Sequence, residues 1–375
     1  MTRLFLNSGA ALALLAALAG LTAPGDEGEE GKAPAPAGPF SLAPRTAMLE
    51  ITQPDKQLAW VKDIEELAGQ QPGRFRQDGE HWVDSTGEYA WDDENEVYWR
   101  TVSAATLTRG RQDFVQFCAS CHGMEGDGYG RSAQGLRPPP RSFHQSTFKF
   151  TKVPGEFLPN DGALIKLVHH GLDGTPMLKW AVSDDRLHDI LSYVKSLSGP
   201  GEGWHDETNE IGPEVFTPPD PWVGKEKEAI DEGRKAYHVR QCWSCHPAYA
   251  TTAQINEMRG GDASQTYRSD LYYSVLKKDS SYEVQGYKVA ILPPDFTWQT
   301  LRYSSTPFET FQTIAAGISG AGMPTWGRAT AESPKGAVDE SEIWAIAHYV
   351  RSLVDTYHGK PDARAAFMAS LRGGQ

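Results

Sequence analysis

Cys118-Ala-Ser-Cys121-His122 and Cys242-Trp-Ser-Cys245-His246 are one five-residue pattern written twice, and together they use all four cysteines of the 375-residue chain. Working outward, Gly110 and Phe114 precede the first copy, and Gly233 and Tyr237 precede the second. Downstream comes a proline landmark, Pro138-Pro139-Pro140 in one copy and Pro293-Pro294-Asp295-Phe296 in the other. Then follow a methionine loop, Gly174-Thr-Pro-Met177 or Gly322-Met323-Pro324-Thr-Trp326, and a closing run, Tyr193-Val-Lys-Ser-Leu197 or Tyr349-Val-Arg-Ser-Leu353. Shared core periodicity aligns one such landmark by accident; five in the same order imply two homologous domains. The copies differ between His and Pro, so the second carries an insertion of about thirty residues within 248–289, including Gly260-Gly261 and an amphipathic stretch at Leu271–Leu276.

Cys-x-x-Cys-His is the attachment pattern of a c-type haem. Each thiol adds across one haem vinyl group, two intervening residues let a single turn reach both vinyls, and the adjacent His falls beneath the ring as proximal iron ligand. On this composition a His follows Cys-x-x-Cys by chance roughly 3% of the time, and twice about once in a thousand. A thioredoxin-like dithiol wants a βαβ context that neither copy has. A four-thiolate zinc site wants its motifs about 15 to 20 residues apart, whereas Cys121 and Cys242 are 121 apart. Disulfides within each motif leave both His residues unexplained. The expectation is two covalently bound haem c groups, held by Cys118, Cys121 and His122 and by Cys242, Cys245 and His246.

Residues 102–197 and 225–355 resemble class I cytochrome c domains in tandem, which makes the expected fold mainly α. In that family an N-terminal helix carrying a Gly and an aromatic crosses a C-terminal helix carrying another aromatic; Gly110/Phe114 with Tyr193, and Gly233/Tyr237 with Tyr349, match those roles. One extra residue between Tyr237 and Cys242 leaves the second register open. The resemblance also implies a proline region whose backbone carbonyl meets the proximal His, with Pro138 or Pro139, and Pro293, as candidates.

A six-coordinate iron needs a second axial ligand, and a thioether raises its potential by favouring the ferrous state. Of seven methionines, Met177 and Met323 lie between the proline landmark and the closing run, each in a Gly/Pro loop followed by a Trp. The expected metal ligands are therefore His122, Met177, His246 and Met323. His169 and His170 lie near Met177, and either could replace it to give bis-His iron. With both axial positions filled, no catalytic residue is expected and the chain is expected not to be an enzyme. The alternative is a dihaem enzyme such as a cytochrome c peroxidase, which needs one open distal site.

The chain carries 36 Lys plus Arg against 49 Asp plus Glu, a net charge of −13, with no basic block, which argues against a nucleic-acid partner. Residues 24–100 hold 17 acids and 7 bases, so most of the acidity precedes the repeats. Arg3 and the Ala/Leu-rich residues 9–21 read as an export signal over 1–23, with retention as a membrane anchor left open. An acidic, Ala/Pro-rich linker occupies 24–39, and an acidic aromatic extension occupies 40–101, where Asp84-Ser85-Thr86-Gly87 suggests a hairpin turn. Haem domains at 102–198 and 225–356 are expected on either side of a Gly/Pro-rich linker at 199–224, ending in a tail at 357–375. The expected function is an exported, periplasmic electron-transfer protein. Its partners would be a quinol-oxidising complex, a dehydrogenase or a terminal oxidase, and it would serve as a carrier or as a subunit of a membrane oxidoreductase complex.

Overall fold

The computed structural model describes residues 71–76, 89–92, 97–100, 104–199, 202–206, 208–284, 287–328 and 338–373. The signal segment, the Ala/Pro linker, the turn at Asp84–Gly87 and much of the extension lie outside the described residues.

The fold is mainly helical, and each half rests on one helix crossing. In the first, α1 (Ala104–Phe117) crosses α4 (Asp184–Ser196); in the second, α5 (Glu226–Val239) crosses α8 (Glu340–Tyr357). On α5, Ala229, Gly233, Ala236 and Tyr237 are buried, the i, i+4, i+7, i+8 spacing of one helical face. Both glycines sit where two backbones meet. A Cβ on Gly110 would lie 1.9 Å from the Asp189 carbonyl oxygen, and one on Gly233 would lie 1.9 Å from that of Ala345. The aromatics then pack in matching pairs, Phe114 on Tyr193 (5.4 Å) and Tyr237 on Tyr349 (5.7 Å). The register left open in the second copy is thus the same as in the first. Its extra residue is absorbed after the helix, where Gln241 takes a left-handed φ of 59°.

Directly ahead of each closing helix stands one more helix, α3 (Asp161–His170) or α7 (Pro307–Ala316). Local chemistry starts both: the Asn160 side chain accepts from the Ala163 amide, and Thr306 with Glu309 forms a capping box ahead of Pro307 at the first turn. The α1/α4 crossing is further bridged by Arg109–Asp189 and Arg186–Asp113. These are surface pairs that add little stability.

Three regions depart from expectation. Residues 199–224 are not a free linker: Trp204 and Ile211 join the first core, Val215 joins the second, and the Trp222 and Trp344 indoles donate to the Ser341 and Pro218 carbonyls. The tail contains α9 (Pro361–Arg372), whose Met368 and Leu371 pack against Trp243, with Phe367 stacked on Tyr357 at 4.6 Å. In the extension, β2 (Tyr89–Asp92) pairs antiparallel with β3 (Val97–Arg100), a hairpin additional to the turn suggested at 84–87, which lies outside the described residues. β1 (Gln71–Arg76) pairs with β3 and runs parallel to β5 (Glu210–Gly212), which also pairs with β4 (Leu158–Pro159). The insertion contributes α6 (Thr252–Met258) and a two-stranded ladder, β6 (Lys277–Val284) with β7 (Tyr287–Ile291). Its stretch at Leu271–Leu276 lies outside any helix, with Leu271 and Tyr272 buried and Leu276 exposed. Among the described residues no helix is long and apolar enough to cross a membrane.

Candidate functional site

Each attachment motif is wound into a single turn directly after its crossing helix. The short α2 (Ala119–His122) holds Cys121 and His122, and the His122 amide donates to the Cys118 carbonyl at 2.9 Å. In the second half, Cys242–Ser244 form a 3-10 turn and the His246 amide donates to the Cys242 carbonyl at 3.0 Å. One turn therefore places both sulfurs and the imidazole of each motif together. All four cysteines are free. Burial pushes the Cys118 and Cys242 thiols up to about 12. Among the described residues no three His, Cys, Asp or Glu side chains come together as a metal-ion site.

The two imidazoles are oriented alike. Nδ1 of His122 lies 2.9 Å from the Arg141 carbonyl oxygen, and Nδ1 of His246 lies 2.9 Å from that of Pro294. A carbonyl can only accept, so Nδ1 carries the proton and donates, which makes Nε2 the unprotonated nitrogen able to ligate a metal. Phe143 stacks on His122 at 4.6 Å and Phe296 on His246 at 4.7 Å. Burial lowers the His122 pKa, which favours the neutral ring a ligand requires.

Here the expectation that Pro138 or Pro139, and Pro293, supply the carbonyl is corrected to Arg141 and Pro294. The stacked phenylalanine sets the register: counting back two residues from Phe143 and Phe296 makes Pro140-Arg141 the counterpart of Pro293-Pro294. Both Pro293 and Pro294 line the cavity described below.

The methionine loops match in a way the landmarks did not anticipate. α3 ends at Gly171 and α7 at Gly317, with φ of 68° and 69°. A Cβ at Gly171 would lie 2.7 Å from the Leu178 backbone, and one at Gly317 would lie 2.7 Å from the Met323 carbonyl, so both positions demand glycine twice over. Six residues on from each comes the methionine. The Leu172 amide donates to the Met177 carbonyl (2.8 Å), and the Ile318 amide donates to the Met323 carbonyl (3.1 Å). The signal available in the sequence was a glycine six residues before each methionine.

Met323 shares a cavity of about 780 Å³ with Cys242, Cys245 and His246, walled by Phe296, Leu301, Ile346 and Val350. Two sulfurs and an imidazole, a thioether and an apolar lining are the donor set and surroundings that a haem c needs. His169 and His170 are engaged elsewhere. His169 meets the Trp180 carbonyl (2.9 Å) through Nδ1 and Asp184 (2.8 Å) through Nε2, and that carboxylate raises its pKa. His170 donates through Nδ1 to the Gly171 carbonyl (2.9 Å) and stacks on Tyr303 at 4.0 Å.

The cytochrome c family model matches residues 107–198 and again 230–354, more than half of the chain. No curated protein matches it. Among solved structures, a chain of the reducing HAO-like protein complex of Kuenenia stuttgartiensis is 23% identical with a TM-score of 0.47, covering 66% of this chain and 96% of that one. The expectation that the chain is not an enzyme is withdrawn, because the matched chain is described as part of a HAO-like protein complex. At that identity and TM-score the likeness assigns no activity, substrate or partner to this chain. Two matched stretches, each with its Cys-x-x-Cys-His turn, oriented imidazole and methionine loop, make the chain a member of the cytochrome c family, with two cytochrome c domains that imply covalently bound haem c, electron transfer and redox protein partners.

Proposed function

We propose that the protein is an exported dihaem c-type cytochrome that passes electrons between respiratory partners, as a carrier or as the electron-transfer subunit of a membrane oxidoreductase complex. The observation that carries this reading is the duplicated frame: in both domains one turn presents two cysteines and a histidine, and the same amide-to-carbonyl closure presents a methionine. A bound haem c supplies one-electron chemistry at iron. The chain's own residues attach it through Cys118, Cys121, Cys242 and Cys245, hold the His122 and His246 rings through the Arg141 and Pro294 carbonyls, and offer Met177 and Met323 as second axial ligands. Met177 is favoured over His169 and His170 because both nitrogens of His169 are engaged and the His170 ring is turned onto Tyr303. In the periplasm the donor would be a quinol-oxidising complex or a dehydrogenase, and the acceptor a terminal oxidase.

Mass spectrometry of the purified protein should find two haems per chain that survive acid and organic extraction. Potentiometric titration with optical spectra should then resolve two one-electron waves. A single haem, or haem that extracts, would overturn the reading.

A further inference from the structure

The cavity of the second domain is not built by that domain alone. Lys149, Phe150 and Gly174, all from the first domain, line it together with Arg302, Ser304 and Thr313. Of five non-glycine residues with left-handed φ among the described residues, three fall at this junction: Phe150 (65°) and Lys152 (62°) on one side and Tyr303 (51°) on the other. Each costs of order 1 kcal/mol or more and persists only where its surroundings over-determine it.

What over-determines them is Lys152. Its side chain reaches out of the first domain, with the residue 3% exposed. Nζ donates to the Tyr303 carbonyl (2.6 Å), the Glu309 carbonyl (3.0 Å) and the Thr313 hydroxyl, using all three ammonium protons, and it lies 4.5 Å from the Tyr303 ring centroid. The Lys152 carbonyl in turn accepts from the Val215 amide at 2.7 Å. His170 adds a second hold, stacked on Tyr303 with Nε2 3.7 Å from the Glu309 carboxylate. Both contacts grip the entry and first turn of α7, the helix that leads into the Met323 loop. Phe150 stands two residues from Lys152, so this grip fixes its position at the cavity wall.

We infer that Phe150, positioned by Lys152, is part of the haem-binding site of the second domain, so that one haem site is shared between the two domains. The inference rests on the reading of Cys242, Cys245, His246 and Met323 as the haem site. Phe150 acts by keeping water from the bound haem. An apolar, drier wall disfavours the more highly charged ferric state and raises the potential.

The test compares full-length holoprotein with Phe150→Ala, Phe150→Leu and Lys152→Met, each by spectroelectrochemical titration. Met323→Ala assigns the second-domain wave. Phe150→Ala should retain two covalent haems and move only that wave, downward, by at least a tenfold change in the ferrous-to-ferric ratio at fixed potential, equivalent to 59 mV for a one-electron couple. Lys152→Met should move the same wave in the same direction, and Phe150→Leu, which keeps an apolar wall, should stay within threefold of the parent protein. With both haems attached, an unmoved second-domain wave, or a shift confined to the first-domain wave, would overturn the inference. If Phe150→Ala does not fold, Lys152→Met and Phe150→Leu still decide it. Parent protein whose Cys242 and Cys245 peptide carries no haem would instead overturn the dihaem reading.

Discussion

Replacing Gly233 by alanine sets two effects of opposite sign against each other. In an exposed helix interior the change gains about 1 kcal/mol, because alanine loses less backbone entropy than glycine. At the α5/α8 crossing the new Cβ would lie 1.9 Å from the Ala345 carbonyl oxygen, 2.4 Å from its carbon and 2.9 Å from the Tyr349 Cβ. Ordinary carbon contacts begin near 3.5 Å, so the helices must part by about 1.5 Å. The nearest atoms are backbone, so no rotamer change relieves the overlap. Overpacking of this kind costs typically 1–3 kcal/mol and more where backbone must move. The separation also loosens the Tyr237–Tyr349 contact at 5.7 Å and displaces the turn that follows α5 with Cys242 and His246. The expected net result is destabilisation of about 2 kcal/mol, roughly a 30-fold larger unfolding constant at 25 °C. Urea unfolding of the holoprotein, followed through the haem absorbance and extrapolated linearly, reads this directly. A Gly233→Ala protein as stable as its parent, or more so, would refute the claim that this glycine exists for the crossing. Gly110→Ala makes the matching test in the first domain, where the same 1.9 Å overlap falls on the Asp189 carbonyl.

Two further outcomes are expected. Met177→Ala and Met323→Ala should each abolish the methionine-to-iron charge-transfer band of one haem and lower its potential, because a thioether favours ferrous iron; a spectrum unchanged by Met177→Ala would refute methionine ligation in the first domain. Burial, only partly countered by Glu309 and Glu214, pulls the Lys152 ammonium from 10.5 down to about 7. The folded state therefore gives up one of the three Nζ protons above about pH 7, while the unfolded chain keeps Lys152 charged to about pH 10.5. This group opposes folding most strongly below pH 7, and that opposition fades as pH rises from about 7 toward 10.5, at up to about 1.4 kcal/mol per pH unit. Between pH 7 and 9 the parent protein should gain stability relative to Lys152→Met, and parallel pH profiles in urea unfolding would refute the assignment.

The sequence by itself determined the chemistry and the number of domains. Cys-x-x-Cys-His is a covalent requirement satisfied inside five residues, and helical periodicity is a local property, so both were legible without the fold. The Gly/aromatic landmarks were legible for the same reason, since a residue that lets two helices touch leaves its mark at a fixed place on each helix. Features that depend on where distant segments meet were not legible. The carbonyls facing the histidines belong to Arg141 and Pro294 because Phe143 and Phe296 stack on the rings, a register that counting from prolines cannot supply. The composition of 199–224 reads as a linker. Only tertiary packing puts Trp204 and Ile211 in one core and Val215 in the other, because burial is decided by the surfaces a segment passes over. The junction at Lys152, Phe150 and Tyr303 left no sequence signal at all. It joins residues about 150 positions apart through backbone carbonyls, which every residue carries, so only the folded chain decides which of them meet.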